Sequence, residues 1–349
     1  MASAFAAVPT LTARRSHVES RAGLSMLIVT GGAGFIGSNL AHTLAGRGAD
    51  VVVVDDLTDG AKCVNLVGAA IADYLDKDRF LALMGARDAW LSKVEGVYHL
   101  GACATTTEYN GRFMMENNFE YSKTVLSYCR AMGIPLVYAS SASVYGSGAS
   151  FAEDPANEAP LNVYAYSKLL FDTVVRRTLA QSGAPVVGLR YFNVYGPRES
   201  HKGAMASVAY NLWRQLERGE PIRLFRGIDG YGDGEQRRDF IHVDDVVKVN
   251  LWFLDHPSVS GIFNVGTGRA ETFNEIARAI LKAAGHGTLE YVPFPSELVG
   301  RYQSFTQADL TKLREVGCDV RFRPVAEGVT EYAGWLAAHS TGDRAPRPA

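Results

Sequence analysis

The stretch MLIVTGGAGFIG, residues 26–37, decides the fold of this chain. A short apolar run is followed by Gly31, Gly34 and Gly37. Glycines at this spacing allow a tight turn after a strand, close approach of backbone to a pyrophosphate, and tight packing of a helix on the strand. The stretch therefore predicts the first strand, turn and helix of a dinucleotide-binding unit, with the helix beginning near Phe35.

Short apolar runs recur through the first half of the chain and alternate with stretches of helical periodicity. We expect strands over residues 27–30, 51–55, 97–100, 136–139 and 186–190. We expect helices over residues 36–47, 117–132 and Val163–Leu179. Runs that are apolar throughout are typical of parallel strands covered on both faces, which need long crossovers between them. The pattern predicts an α/β fold: a Rossmann doubly wound parallel sheet with a smaller C-terminal substrate-binding lobe.

The second half of the chain has a less regular pattern. Residues 227–234 are rich in glycine and predict a loop. A small apolar strand over 262–265 and a helix opening at Thr272 are assigned to the smaller lobe. We therefore expect a Rossmann domain over 26–195 and a lobe over 196–340 that holds most of the substrate site, with the chain free to cross between the two.

Residues 1–25 precede the expected first strand. Their first 18 residues hold no acidic side chain, and Arg14 and Arg15 among several Ser and Thr are typical of a transit peptide. The alternative, which we favour, is a start codon placed too early, because Met26 stands where Rossmann proteins commonly begin. In either case we expect a disordered extension outside the fold.

Composition excludes several classes of partner. The 349 residues carry a formal net charge of −2 without a long basic run, so we expect no binding of nucleic acid. No apolar stretch reaches the roughly 18–20 residues that span a bilayer, so we expect no membrane partner. The cysteines lack CxxC spacing, which argues against a disulfide framework or a metal site and favours a reducing cytoplasm. They are Cys63, Cys103, Cys129 and Cys318.

Acidic and basic side chains follow the expected second strand. Asp55 and Asp56 stand about 20 residues after the glycine turn, where a carboxylate can accept hydrogen bonds from a ribose 2′-hydroxyl of NAD. Lys62 and Lys77 follow and could balance the 2′-phosphate of NADP. Either lysine could equally be a solvated surface charge, so spacing alone leaves NAD and NADP both open.

A second motif, Tyr-x-x-x-Lys, indicates hydride chemistry at an alcohol. Tyr164 and Lys168 are four apart on an expected helix and share a face, whereas Tyr166 faces elsewhere. A free tyrosine has a pKa of about 10, and a neighbouring ammonium is expected to lower it. Ser140 and Ser141 end an expected strand at the edge where doubly wound sheets bind ligands. Ser141, Tyr164 and Lys168 together are typical of the extended short-chain dehydrogenase/reductase superfamily.

From Met26 to about Trp335 the chain closely resembles the ADP-L-glycero-D-manno-heptose 6-epimerase family. The glycine turn and Tyr-x-x-x-Lys occur across the superfamily, most of whose members act on nucleotide sugars. Two stretches are much more specific to this family: GPRESHKG at 196–203 and GRYQSFTQADL at 300–310. The resemblance implies epimerisation at C6″ of an ADP-heptose through a transient ketone, for lipopolysaccharide core synthesis. It also implies one NADP per subunit, recycled in place, and a homo-oligomer such as a pentamer.

The resemblance assigns roles to individual residues. Tyr164 and Lys202 would be the two acid/base groups on opposite sides of the sugar, aided by Lys168 and Ser141. From the residues alone, Lys202 could instead be a loop lysine paired with Glu199. NADP contacts would come from Gly31, Gly34, Phe35, Ile36, Gly37, Asp55, Asp56, Lys62, Lys77, Leu100, Gly101, Ala102, Cys103, Ala104, Asn117, Lys168, Val194 and Lys202. Substrate contacts would come from Asn193, Ala204, Asn211, Phe225, Arg238 and Tyr302.

The chain departs from this family at a few positions. Ala204 stands where some members have serine, Asn211 where some have histidine, and the 227–234 loop is longer.

Three other functions fit the sequence less well. A nucleotide-sugar 4-epimerase would not be expected to contain the HKG lysine or the GRYQ stretch. A 4,6-dehydratase normally has an acid next to the serine, where this chain has Ala142. A non-catalytic dinucleotide sensor tends to lose the tyrosine or the lysine.

Overall fold

The computed structural model describes residues 25–181, 183–296 and 302–339. The expected N-terminal extension lies outside the described residues except for Ser25. The strands are β1 (Met26–Thr30), β2 (Asp50–Asp55), β3 (Asp73–Asp76), β4 (Val94–His99), β5 (Leu136–Ser141), β6 (Val186–Tyr191), β7 (Asn193–Tyr195), β8 (Ile222–Phe225), β9 (Arg237–Arg238), β10 (Phe240–His242), β11 (Gly261–Val265), β12 (Glu271–Thr272) and β13 (Leu289–Val292).

Helices connect these strands. They are α1 (Phe35–Gly46), α2 (Lys77–Gly85), α3 (Gly111–Met114), α4 (Tyr121–Met132), α5 (Val163–Leu179), α6 (Val208–Glu217), α7 (Val243–Asp255), α8 (Phe273–Ala284), α9 (Thr311–Glu315) and α10 (Val325–His339). None of the helices in the described ranges is long and apolar enough to cross a bilayer.

Seven parallel strands form the central sheet, in the order β11-β6-β5-β4-β1-β2-β3. The order reverses between β1 and β4, and ligands of doubly wound sheets bind at such a switch point, beyond the carboxyl ends of the strands. The predicted doubly wound parallel sheet is confirmed.

The valine run of β2 illustrates how the sheet is stabilised. Val51 and Val53 belong to the core on one face, beside α1 and α7, while Val52 and Val54 belong to the core on the other. All four are at most 1% exposed. Because a buried valine contributes roughly 1.5–3 kcal/mol, both covered faces stabilise this strand.

The predicted strands of the first half are all present, and the helix Val163–Leu179 has the predicted bounds. The prediction missed β3, whose sequence DYLD is mostly polar because it lies at the sheet edge. The helix expected over 117–132 is a π-helical turn at Met115–Glu120 followed by α4.

A smaller lobe packs beside the sheet. Helices α6, α8 and α10 share an apolar core with the β8–β13 pair. The helix predicted to open at Thr272 is confirmed, since Thr272 caps α8 in a capping box with Glu275. The strand expected over 262–265 is present as β11, but it lies in the central sheet beside β6 and not in this lobe.

The glycine turn allows a direct test of its packing. A methyl group at Gly37 would stand 2.1 Å from the Gly31 carbonyl oxygen, a contact that fixed backbone cannot relieve. We expect Gly37→Ala to lower the free energy of unfolding by about 3 kcal/mol, as overpacking does. Gly46→Ala, in the same helix, meets no atom within 4 Å and should change stability by at most about 1 kcal/mol. Equal thermal midpoints for both variants would contradict this packing.

Candidate active site

The glycine turn fits a pyrophosphate. Gly31 has φ +65°, and a Cβ there would lie 2.6 Å from Gly101, so the turn and the chain after β4 pass in direct contact. Helix α1 begins at Phe35, its N-cap Gly34 makes no side-chain cap bond, and its first turn holds no acidic residue. The N–H groups at the positive end of α1 therefore suit an anion.

Asp55 stabilises this turn. One carboxylate oxygen accepts the Ala33 N–H at 2.8 Å, and the other accepts from the Lys62 ammonium at 2.6 Å and from the Asp56 N–H at 2.7 Å. Asp55 thus ties the end of β2 to the glycine turn. Its expected bond to a ribose hydroxyl remains a prediction.

Two lysines surround the acidic end of β2. Hydrogen bonds from Thr58 lower the pKa of Asp56, and the charges of Lys77 and Lys62 add to this effect. Lys77 also pairs with the exposed Asp78 at 2.9 Å. The structure therefore brings Asp55, Asp56 and both lysines together at the carboxyl end of β2.

The loop after β4 is fixed by a residue that sequence reasoning missed. The buried Asn118 side chain accepts the Cys103 N–H at 2.8 Å and donates to the Cys103 carbonyl at 3.0 Å. The predicted contact residue Asn117 donates to Asn118 at 3.2 Å. The signal in the sequence was the pair of adjacent asparagines at 117 and 118. The π-helical turn carries both amides beside the predicted cofactor loop at 100–104.

The end of β5 separates two neighbouring serines. Ser140 is buried and donates to Asp172 at 2.9 Å, whereas Ser141 faces the other way and accepts from Ser143. Hydrogen bonding with Ser141 acts on Tyr164 and opposes the rise in its pKa, so these two side chains meet. The structure brings Ser141 and Tyr164 together as the motif predicts.

Lys168 lies one turn further along α5. It is 6% exposed and donates to the Ala139 carbonyl at 2.9 Å. Burial lowers its pKa to about 8, and Asp172 opposes the change. Burial raises the pKa of Tyr164. The net shift is therefore upward, which contradicts the expected lowering. Tyr166 is 48% exposed and faces away from the site.

Lys202 lies in a short 3₁₀ turn, Ser200–Met205, next to the glycine turn. Its ammonium is 5.0 Å from the centre of the Phe35 ring. Burial lowers its pKa, and the charge of Glu199 opposes this. In the described ranges no carboxylate lies within 4.0 Å of this ammonium, so the alternative of a Lys202–Glu199 ion pair is not formed.

The predicted substrate residues lie around an aromatic cluster. The Arg238 guanidinium is 4.7 Å from the centre of the Tyr302 ring. Phe294, which sequence reasoning missed, lies with its ring centre 5.3 Å from both Tyr302 and Phe225. Asn193 accepts a long, 3.5 Å hydrogen bond from Thr306. The structure thus joins Phe225, Arg238 and Tyr302.

Three further predicted residues, two for the substrate and one for the cofactor, have other surroundings. Ala204 is exposed, and Asn211 donates to the Ala206 carbonyl at 3.0 Å. Val194, in β7, pairs with Ile241.

Comparisons with known proteins identify the family. The profile of the NAD dependent epimerase/dehydratase family matches residues 27–266, more than half of the chain. The chain belongs to this family.

Individual proteins resemble the chain over nearly its whole length. It is 59% identical over 313 residues to the ADP-L-glycero-D-manno-heptose-6-epimerase of Alkalilimnicola ehrlichii, covering 89% of this chain and 98% of that protein. Among solved structures, ADP-L-glycero-D-manno-heptose-6-epimerase from Helicobacter pylori has a TM-score of 0.77 at 30% identity, covering 90% and 97% of the two chains. UDP-glucose 4-epimerase from Thermus thermophilus, solved with NAD, has a TM-score of 0.73 at 29% identity, covering 89% and 99%.

The two serines of β5 form a matched pair for mutation. Ser141→Ala should lower activity on the order of 100-fold, because it removes the hydroxyl that lies beside Tyr164, while the thermal midpoint stays near wild type. Ser140→Ala should cost about 1 kcal/mol of stability and leave activity nearly unchanged, because Ser140 bonds only the buried Asp172. Turnover and thermal unfolding are measured for both. Equal activity of the two variants would contradict the assignment of Ser141.

Proposed function

We propose that the protein is an ADP-L-glycero-D-manno-heptose 6-epimerase. It interconverts ADP-D-glycero-β-D-manno-heptose and its L-glycero epimer by inverting C6″. The meeting of Ser141 and Tyr164 at the sheet edge, beside the 100–104 loop, carries the proposal. The 59% identity to an epimerase of this name supports the choice of sugar.

Tyr164 acts on the C6″ hydroxyl. Its phenolate accepts the hydroxyl proton, and Ser141 donates a hydrogen bond to the same oxygen as the carbon becomes a ketone. Burial raises the pKa of Tyr164 and the hydrogen bonding of Ser141 opposes this rise, and a positive charge near the phenol would favour its phenolate. The Lys168 ammonium, which the Ala139 carbonyl fixes one helical turn away, would hold the ribose of the cofactor.

Lys202 is the second acid/base. When the ketone turns to present its other face, the oxygen moves away from Tyr164, so a group on the other side must give the proton back. A lysine suits this role when its pKa approaches neutrality, and burial lowers the pKa of Lys202. Its position over Phe35, the first residue of α1, sets it at the wall of the predicted cofactor cleft.

The family and the glycine turn imply a nicotinamide dinucleotide, and the residues present fit one. When bound, a cofactor of this class would supply the acceptor for the hydride of C6″ and its source when the ketone is reduced again. We propose NADP: Lys62 and Lys77 stand beside Asp55 and Asp56, where two ammonium groups offset the carboxylates and attract a 2′-phosphate.

The aromatic cluster is proposed to hold the ADP group. Arg238 is buried and has no carboxylate partner within 4.0 Å in the described part of the chain, so its guanidinium is available for a diphosphate. Phe225 offers a ring face for adenine. The protein is further proposed to be a cytoplasmic homo-oligomer, such as a pentamer, that supplies ADP-heptose for lipopolysaccharide core synthesis.

A 4-epimerase of UDP-hexoses remains the main alternative, because the Thermus enzyme shares the fold almost as closely as the Helicobacter one. Fold likeness alone does not separate the two substrates. The chain's HKG and GRYQ stretches and its identity to the heptose enzyme favour the 6-epimerase.

Purified protein should convert ADP-D-glycero-heptose to its epimer, followed by NMR, and should leave UDP-glucose and UDP-galactose unchanged. Turnover should be faster with NADP than with NAD in protein freed of cofactor. Tyr164→Phe and Lys202→Met should each lose at least ~100-fold in rate, because each removes an acid/base group.

Thermal unfolding of each variant serves as the control for folding. Turnover of a UDP-hexose in preference to the ADP-heptose would contradict the proposed substrate. Wild-type turnover by Lys202→Met would contradict the second acid/base.

A further inference from the structure

Glu199 is a buried carboxylate inside the loop that carries Lys202. It is fully buried, yet it has no cation within 4.0 Å in the described ranges. A buried carboxylate without a cation is costly unless hydrogen bonds compensate it. Burial raises the pKa of Glu199, while the charge of Lys202 and hydrogen bonds from Ser207 and Gly196 oppose this. Because Glu199 is not hydrated, its hydrogen bonds within the protein must compensate its burial.

The hydrogen bonds of Glu199 close the loop on itself. One oxygen accepts from Gly196 N–H at 3.3 Å and from Ser207 Oγ at 2.7 Å, and the other accepts from Ser207 N–H at 2.5 Å. Gly196 begins the loop and Ser207 ends it, since Ser207 is the N-cap of α6. A single carboxylate therefore joins the two ends of the twelve-residue stretch 196–207.

Lys202 lies near the middle of the closed stretch. Its backbone N–H bonds the Glu199 carbonyl at 3.0 Å, so the carboxylate and the turn that presents the lysine belong to one rigid unit. The neighbouring His201 is held from the other side by Asn65, whose amide contacts His201 Nδ1 at 3.0 Å and donates to the Ala33 carbonyl of the glycine turn at 2.9 Å. Burial lowers the pKa of His201 to about 4, so its neutral ring accepts this bond.

We infer that Glu199 is a positioning residue for the reaction: by closing the 196–207 loop, it fixes the turn that presents the Lys202 ammonium. This inference rests on the proposed role of Lys202 as the second acid/base. Because Glu199 is fully buried, it is not exposed to a bound sugar or cofactor and would act only through the lysine. Its hydrogen bonds to Gly196 and Ser207 leave Lys202 without an ion pair to either oxygen, so the ammonium stays available for proton transfer.

The test measures two half-reactions separately, namely the oxidation of each epimer to the ketone. Each epimer is mixed with NADP-loaded protein, and reduction of the bound cofactor is followed by its absorbance in single turnover. One epimer loses its proton to Tyr164 and the other to Lys202, so a defect at Lys202 slows one half selectively. We expect Lys202→Met to identify which epimer that is.

Glu199→Gln should slow cofactor reduction from that same epimer by on the order of 10- to 100-fold, as expected for a misplaced catalytic group, and leave the other half within about twofold. Ser207→Ala, which keeps the carboxylate charge and removes one of its donors, should shift the same half in the same direction by less. Glu220→Gln removes an exposed carboxylate of the same lobe and should change neither half.

Equal slowing of both halves by Glu199→Gln, or slowing of neither, overturns the inference. If Glu199→Gln does not fold, judged by thermal unfolding, Ser207→Ala decides by the same criterion. A Lys202→Met variant that slows neither half selectively overturns the proposed second acid/base, a failure that is distinct from the outcome for Glu199.

Discussion

The hydrogen bond from the Lys168 ammonium to the Ala139 carbonyl is the constraint on which the site depends. It joins α5 to the end of β5 in a buried setting, where an unpaired ammonium would be very unfavourable. The bond fixes the rotation of α5, and Tyr164, one turn earlier, therefore meets Ser141 at the sheet edge. The doubly wound sheet supplies this edge because its strand order reverses beside β1.

The glycine turn and the loop that carries Lys202 are held by shared hydrogen bonds. Asp55 bonds the glycine turn from the end of β2, and Asn65 bonds the same turn and His201. An anion bound at the start of α1 would therefore contact a turn that is already linked to the HKG stretch. In this arrangement the two proposed acid/base groups are held by different parts of the chain, Tyr164 by α5 and Lys202 by the loop before α6.

Residues that act through local pattern were predictable from the sequence, and those that act through distant contacts were not. Valine runs and glycine spacing predicted β2 and the turn, because burial on both faces and close approach leave a local signature. The polar edge strand β3 carried no such signature. Asn118 was missed because its partner Cys103 lies 15 residues away, in the loop after β4. The pKa of Tyr164 was predicted in the wrong direction, because its burial depends on packing that helical spacing does not reveal.

The central claim is that C6″ is oxidised and reduced again at one enclosed site. Its most direct test uses ADP-heptose carrying deuterium at C6″, converted to its epimer and examined by NMR. The account predicts that the product keeps the deuterium at C6″, because the hydride that leaves this carbon returns to it. Replacement of the deuterium by solvent hydrogen during conversion would contradict the account.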